Sequence, residues 1–191
     1  GCTVSLANSA FPSLRNILID QILPGTHISL AYHPTLMAAQ GSQGLKILDA
    51  LPDRGFVLGI EGSIPENEEF CCVGRLEGRE LTVLEKFIEL AARSALVMAV
   101  GTCSSFGGIP SGAPNPGKYR SASEIMDKND VDTPLVNVPG CPPNPDWITT
   151  TLGEYLVAGG VAEMELDDLR RPLSIYGELV HENCPRWGYF D

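Results

Sequence analysis

Three short stretches of the chain are almost continuously apolar: Phe56-Val57-Leu58-Gly59-Ile60, Leu96-Val97-Met98-Ala99-Val100 and Pro134-Leu135-Val136-Asn137-Val138. Runs of this length, bounded by Gly and Pro, predict strands buried on both faces of a parallel sheet. Between them the apolar period changes to that of a helix. Residues 81–93 place Val83, Leu84, Phe87, Ile88, Leu90 and Ala91 at helical intervals and predict an amphipathic helix. Further helices are expected over 37–51, 121–128 and 147–158, the last capped by Asp146 and stopped by Gly159-Gly160. Near the start, Val4, Leu6, Leu14, Ile17, Leu18, Ile22 and Leu23 predict two helical pieces, interrupted by Pro12 and ended by Pro24-Gly25. A strand is expected over 28–32, a hairpin or loop over 66–78, and a short strand over 173–176. Strands alternating with helices imply an α/β protein built on a doubly wound parallel sheet. That alternation fades in the tail, so the chain divides into 1–160 and an irregular C-terminal segment, 161–191.

Composition narrows the classes. The chain has 191 residues, long enough to bury a substantial core, and 43% are hydrophobic. No apolar run reaches the length of a membrane span. Thirteen basic against 24 acidic residues give a net charge of -11, which argues against a nucleic-acid partner. The chain opens on Gly1-Cys2 without an initiator methionine, the pattern of a processed or excised segment.

Six cysteines are too few for a disulfide scaffold at this size, and their uneven spacing makes metal or cluster ligation the leading use. Cys141 lies in Val138-Pro139-Gly140-Cys141-Pro142-Pro143-Asn144-Pro145, where prolines stiffen the loop and exclude an ordinary helix or central strand. The stretch alone fits a rigid turn with a structural cysteine as well as it fits a metal ligand. Cys103 has the same grammar: it follows a buried strand and precedes the Gly107-Gly108-Ile109-Pro110 loop. Both thiols therefore belong at the carboxyl edge of the sheet, where open α/β folds bind ligands. Cys2 is a third candidate. His181 and Cys184 have the H-x-x-C spacing of a metal pair, with a hydrogen-bonded surface histidine as the alternative. The adjacent Cys71-Cys72 would face opposite sides of a strand, and burial is expected for at least one. His27 and His33 read as structural. Nucleotide-binding and nucleophile-elbow motifs are absent, and the wide separation of Cys2, Cys103 and Cys141 lacks the short paired spacing of zinc sites.

Several separated motifs, taken in order, resemble the small subunit of nickel-iron hydrogenases. They are Gly1-Cys2-Thr3-Val4-Ser5-Leu6, His33-Pro34-Thr35-Leu36-Met37-Ala38, Glu61-Gly62-Ser63-Ile64-Pro65, Gly101-Thr102-Cys103 with Gly107-Gly108-Ile109-Pro110, residues 139–147, and residues 181–185. The resemblance implies a flavodoxin-like fold whose Cys2, Cys103 and Cys141 bind a proximal [4Fe-4S] cluster. Cys2 matches the second cysteine of the family's C-x-x-C element, so the fourth ligand is expected just ahead of Gly1. His181 and Cys184 match ligands of a distal [4Fe-4S] cluster. The remaining distal ligands and a medial [3Fe-4S] or [4Fe-4S] cluster are expected only in a C-terminal region beyond Asp191. Oxygen-tolerant relatives carry two further cysteines; Gly1 and Gly108 stand at those positions, which implies the ordinary proximal cluster.

By that resemblance the chain passes electrons from hydrogen oxidation at the nickel-iron centre of a separate large subunit. The acceptor would be a membrane cytochrome or a soluble carrier. A periplasmic location is expected over a cytoplasmic one. Glu61 is assigned either to the large-subunit interface or to tuning the cluster's field, with simple capping equally open. Two rivals are a complex I-like cluster subunit, which shares the Gly-Cys-Pro-Pro signature but typically places adjacent cysteines at its cluster, and a cluster-free flavodoxin-like binding module.

Overall fold

The computed structural model describes residues 2–4, 28–53, 55–182, 184 and 186–189. The two helical pieces expected before Pro24, and His27, lie outside these residues. The central strands form where the apolar runs place them: β1 (Val57–Glu61), β5 (Leu96–Val100) and β7 (Leu135–Val138). They make a parallel sheet in the order β1-β5-β7, with Val57 paired to Leu96 and Val97 to Leu135. Every residue of β5 and β7 is buried, as the patterns require. β1 is only half-buried and leaves Gly59 exposed; among the described residues it ends the strand order and has a ladder partner on one side.

Helices cover both faces, so the sheet is doubly wound as the alternation implied. On one face Val97, Ala99 and Leu135 pack with Phe87 and Ala91 of α2 (Val83–Arg93) and with Ala122, Ile125 and Met126 of α4 (Ala122–Lys128). On the other, Met98, Val100 and Val138 pack with Ile148 of α5 (Pro145–Ala158) and with Cys2 and Trp147. The alternation of β5 residues between these clusters follows the period-two geometry of a strand. Each buried aliphatic side chain contributes about 1.5–3 kcal/mol of burial free energy before chain entropy is subtracted.

The two helices α2 and α4 begin with capping boxes. Thr82 and Ser121 accept the backbone N–H of Glu85 and Glu124, whose carboxylates bond back to the caps. Ahead of α2, α1 (Ser42–Asp49) is shorter than the helix expected over 37–51, and it packs Leu45 and Leu48 against Leu90. The buried Lys86 of α2 ties the two helices by its ion pair to Asp49 at 2.6 Å and pairs within α2 to Glu89 at 2.8 Å. The hairpin or loop read over 66–78 holds β3 (Cys72–Leu76), which pairs with β4 (Arg79–Thr82) just beyond it; just ahead of it, β2 (Ile64–Pro65) pairs with β6 (Tyr119–Arg120).

Several local expectations are corrected. Residues 28–32 form no strand. Cys71 and Cys72 are both exposed, because the two-stranded hairpin that carries them stands outside the main sheet. Asn144, not Asp146, is the cap of α5: its side chain accepts the Asp146 N–H, and Pro145 occupies the first turn. Residues read as a strand at 173–176 form a one-turn helix, α6 (Leu173–Tyr176). Pro172 starts that turn, its carbonyl accepting from Ile175 and Tyr176, and the outer edge of β7 is already occupied by Arg170, whose carbonyl takes the Asn137 N–H. Between the β5 strand and the Gly107-Gly108-Ile109-Pro110 loop the chain turns directly into a short helix, α3 (Thr102–Phe106).

Candidate functional site

The ladders align the carboxyl ends of the three parallel strands: Glu61 is paired with Val100, and Val100 with Val138. The strand-end residues and the loops they lead into therefore emerge at one edge. From β1 comes the Glu61 side chain, from β5 Gly101-Thr102-Cys103, and from β7 Pro139-Gly140-Cys141. The two cysteine loops are latched together by Thr102. Its N–H donates to the Gly140 carbonyl at 2.9 Å, and its hydroxyl accepts the Gly140 N–H at 3.1 Å. The Gly101 N–H extends the ladder by donating to the Val138 carbonyl. After Cys141 the bond to Pro142 is cis.

Glu61 brings the start of the chain to the same edge. Its Oε1 accepts the Cys2 N–H at 2.7 Å, while Oε2 accepts the Thr3 N–H at 2.8 Å and the Thr3 hydroxyl at 2.6 Å. These are short, charge-assisted bonds, the strong class. Burial pushes the Glu61 carboxyl up, but the hydrogen bonds from Thr3 and Cys2 outweigh it and hold it below the ordinary carboxylate value. His33 Nε2 lies 2.9 Å from the Thr3 hydroxyl, in line with a structural histidine. These contacts anchor the start of the chain to the end of β1.

The structure brings Cys103 and Cys141 each within electrostatic reach of Cys2. Burial pushes the Cys2 thiol up, and the neighbouring Glu61, Cys141 and Cys103 push it further. Two glycines leave room for the sulfurs. Gly101, at φ +94°, would place a Cβ 2.7 Å from the Cys2 sulfur, and Gly108, at φ +58°, would place one 2.7 Å from the Cys103 sulfur. Both backbones are in the left-handed region that glycine favours. Among the described residues no group of three or more His, Cys, Asp or Glu side chains could hold a single metal ion. Soft sulfur donors in a glycine-lined cradle fit a multinuclear iron-sulfur group better than one small ion.

His181 and Cys184 stand on a separate turn, in which the Cys184 N–H donates to the His181 carbonyl at 3.3 Å. His181 is exposed and Cys184 half-buried. The short spacing thus does place both on one turn. Sequence reasoning missed the Thr102 latch and a tyrosine contact to Pro139. The first depends on the register between β5 and β7, and the second was hidden in residues read as a strand.

Comparison with known proteins matches residues 1–155 to the family model described as NADH ubiquinone oxidoreductase, 20 Kd subunit. The chain belongs to this family of flavodoxin-like subunits. Within it, the similar proteins are hydrogenase small subunits, which does not favour the complex I-like alternative. The periplasmic [NiFeSe] hydrogenase small subunit of Desulfomicrobium baculatum is 38% identical across the whole chain, and the chain covers 63% of that protein. Periplasmic [NiFe] hydrogenase small subunit 1 of Nitratidesulfovibrio vulgaris is 34% identical, with 57% of it covered. Among solved structures, the recombinant [NiFeSe] hydrogenase from Desulfovibrio vulgaris Hildenborough superposes with a TM-score of 0.90 at 36% identity, covering all of this chain and 70% of that one. The chain therefore spans about three fifths of the length of these curated relatives.

Proposed function

We propose that this chain is the electron-transfer part of a nickel-iron hydrogenase small subunit. The observation that carries the reading is the convergence of Cys2, Cys103 and Cys141 at the carboxyl edge of the β1-β5-β7 sheet. These three residues hold a proximal [4Fe-4S] cluster, with a fourth thiolate from outside residues 2–191. His181 and Cys184 contribute to a distal [4Fe-4S] cluster, and 161–191 opens the region that completes it. When bound, such clusters take up and release one electron at a time.

The protein's own part is positional and electrostatic. Thr102 fixes the spacing of the Cys103 and Cys141 loops, Glu61 fixes Cys2, and the packed face of Met98, Val100, Val138 and Ile148 keeps water from the sheet side of the site. Hydrogen oxidation belongs to a separate large subunit that carries nickel, and the electrons leave toward a membrane cytochrome or a soluble acceptor. The names of the relatives support a periplasmic setting. Among the described residues no helix is long and apolar enough to cross a membrane.

Purification with the large subunit tests the reading, followed by iron, acid-labile sulfide and nickel analysis and hydrogen-dependent dye reduction. Nickel in the partner, clusters in this chain and activity that needs both are the expected results. A folded, iron-free chain with bound flavin overturns it in favour of a binding module. A pair that keeps a cluster but lacks nickel and hydrogen activity shifts it to a complex I-like subunit.

A further inference from the structure

The segment between the cysteine loops and the His181 turn is fastened to β7 at several points. The Asn137 N–H donates to the Arg170 carbonyl and its side-chain amide to the Leu169 carbonyl, both at 2.8 Å. Beyond this clamp, Asp167 accepts the Arg171 guanidinium at 2.7 Å, and Arg171 sits over the Tyr176 ring with 5.4 Å to its centroid. The Tyr176 ring meets Trp147 of α5 edge to face, with centroids 5.4 Å apart. Held on two sides, the ring directs its hydroxyl to the Pro139 carbonyl, to which it donates at 2.8 Å. Pro139 is two residues before Cys141, and Tyr176 is five before His181.

We infer that Tyr176 is a positioning residue that ties the turn carrying His181 and Cys184 to the loop carrying Cys141, through the bond from its hydroxyl to the Pro139 carbonyl. This rests on the cluster reading proposed above. The aromatic and guanidinium contacts restrict the ring before the bond forms, so little side-chain entropy remains to be lost when the hydroxyl engages. On the loop side, Thr102 grips Gly140 while Tyr176 grips Pro139, so two consecutive residues ahead of the Cys141 thiol are each restrained by a separate element. The positive end of the hydroxyl dipole points at the loop, which favours the reduced state of a group held there.

The test is Tyr176→Phe in the full-length chain assembled with its large subunit. It removes one oxygen and keeps the ring. Iron release to a chelator and an EPR-monitored redox titration are compared with wild type. The expected results are iron loss from one cluster about five-fold faster, the factor set by one neutral hydrogen bond of about 1 kcal/mol, and a lower reduction potential for that cluster. A purely structural role would lower thermal stability and leave the potential unmoved. Equal release rates and equal potentials overturn the inference while the cluster reading stands; a wild-type assembly without iron and sulfide overturns both. Should the variant not assemble, hydrogen exchange on the wild-type complex decides. Residues 139–141 and 166–176 opening together supports the tie, and independent opening refutes it.

Discussion

Replacing Gly101 with alanine tests directly whether the Cys2 sulfur lies against the β5 loop. Gly101 has φ +94° and Gly62 has φ +90°, so an alanine at either site carries a backbone penalty. That penalty is about 1–2 kcal/mol for a non-glycine residue in the left-handed region. The surroundings differ. At Gly62 nothing lies within 4 Å of the added Cβ, whereas at Gly101 the Cys2 sulfur lies at 2.7 Å and the Gly140 carbonyl oxygen at 3.5 Å. Ordinary contacts begin at 3.4 Å, so the sulfur must retreat by about 0.7 Å. Its own backbone is held by Glu61 at 2.7 Å, which leaves it little freedom to do so. Overpacking of this kind costs about 1–3 kcal/mol beyond the backbone term. Gly62→Ala is therefore expected to lower stability modestly and keep full iron content. Gly101→Ala should cost about twice as much or more and lose cluster iron. Urea denaturation gives the first quantity, and iron and sulfide per assembled chain the second. Equal destabilisation with equal iron content in the two variants would refute the placement of Cys2.

Two further perturbations probe neighbouring charges. Glu61→Gln keeps the shape but leaves one acceptor oxygen for three donors. Loss of these charge-assisted bonds should cost about 2–3 kcal/mol, seen as weaker assembly and a shifted cluster potential; no change in either would remove both the interface and the tuning roles. Glu66 is held below the usual carboxylate value by its hydrogen bond to Lys128, against an opposing push from burial, with Arg120 adding to the first. A depressed folded pKa means that its contribution is complete above the unfolded value of about 4.3 and fades as pH falls through the folded value. Glu66→Gln should flatten that acid limb in pH-dependent unfolding and lower neutral stability by about 1 kcal/mol; an unchanged acid limb would show that the pairing is not maintained in solution.

The parts of the fold legible in the sequence were those governed by local patterns. The runs at 96–100 and 134–138 announced buried strands because a sheet covered on both faces needs apolar residues at every position. Helix α2 was legible because its apolar stripe and its capping residues agree. The run at 173–176 failed for the opposite reason. Four residues with two apolar side chains do not distinguish a strand from a helical turn, and the decision came from Pro172 and an occupied sheet edge, both set by tertiary structure. At the site, the strand-then-cysteine grammar located Cys103 and Cys141 at one edge, but their hydrogen-bonded latch through Thr102 depends on the strand register, which no single stretch encodes.

Residues 169–170 covering the outer edge of β7 have a consequence for how copies of the chain meet one another. An open strand edge offers a row of unpaired amides and carbonyls to any other chain that drifts past, and a strand as apolar as Leu135–Val138 is an especially adhesive template. Here the Asn137 N–H is already engaged by Arg170, and the Asn137 side chain by Leu169. The chain thus carries its own guard against polymerising through that edge.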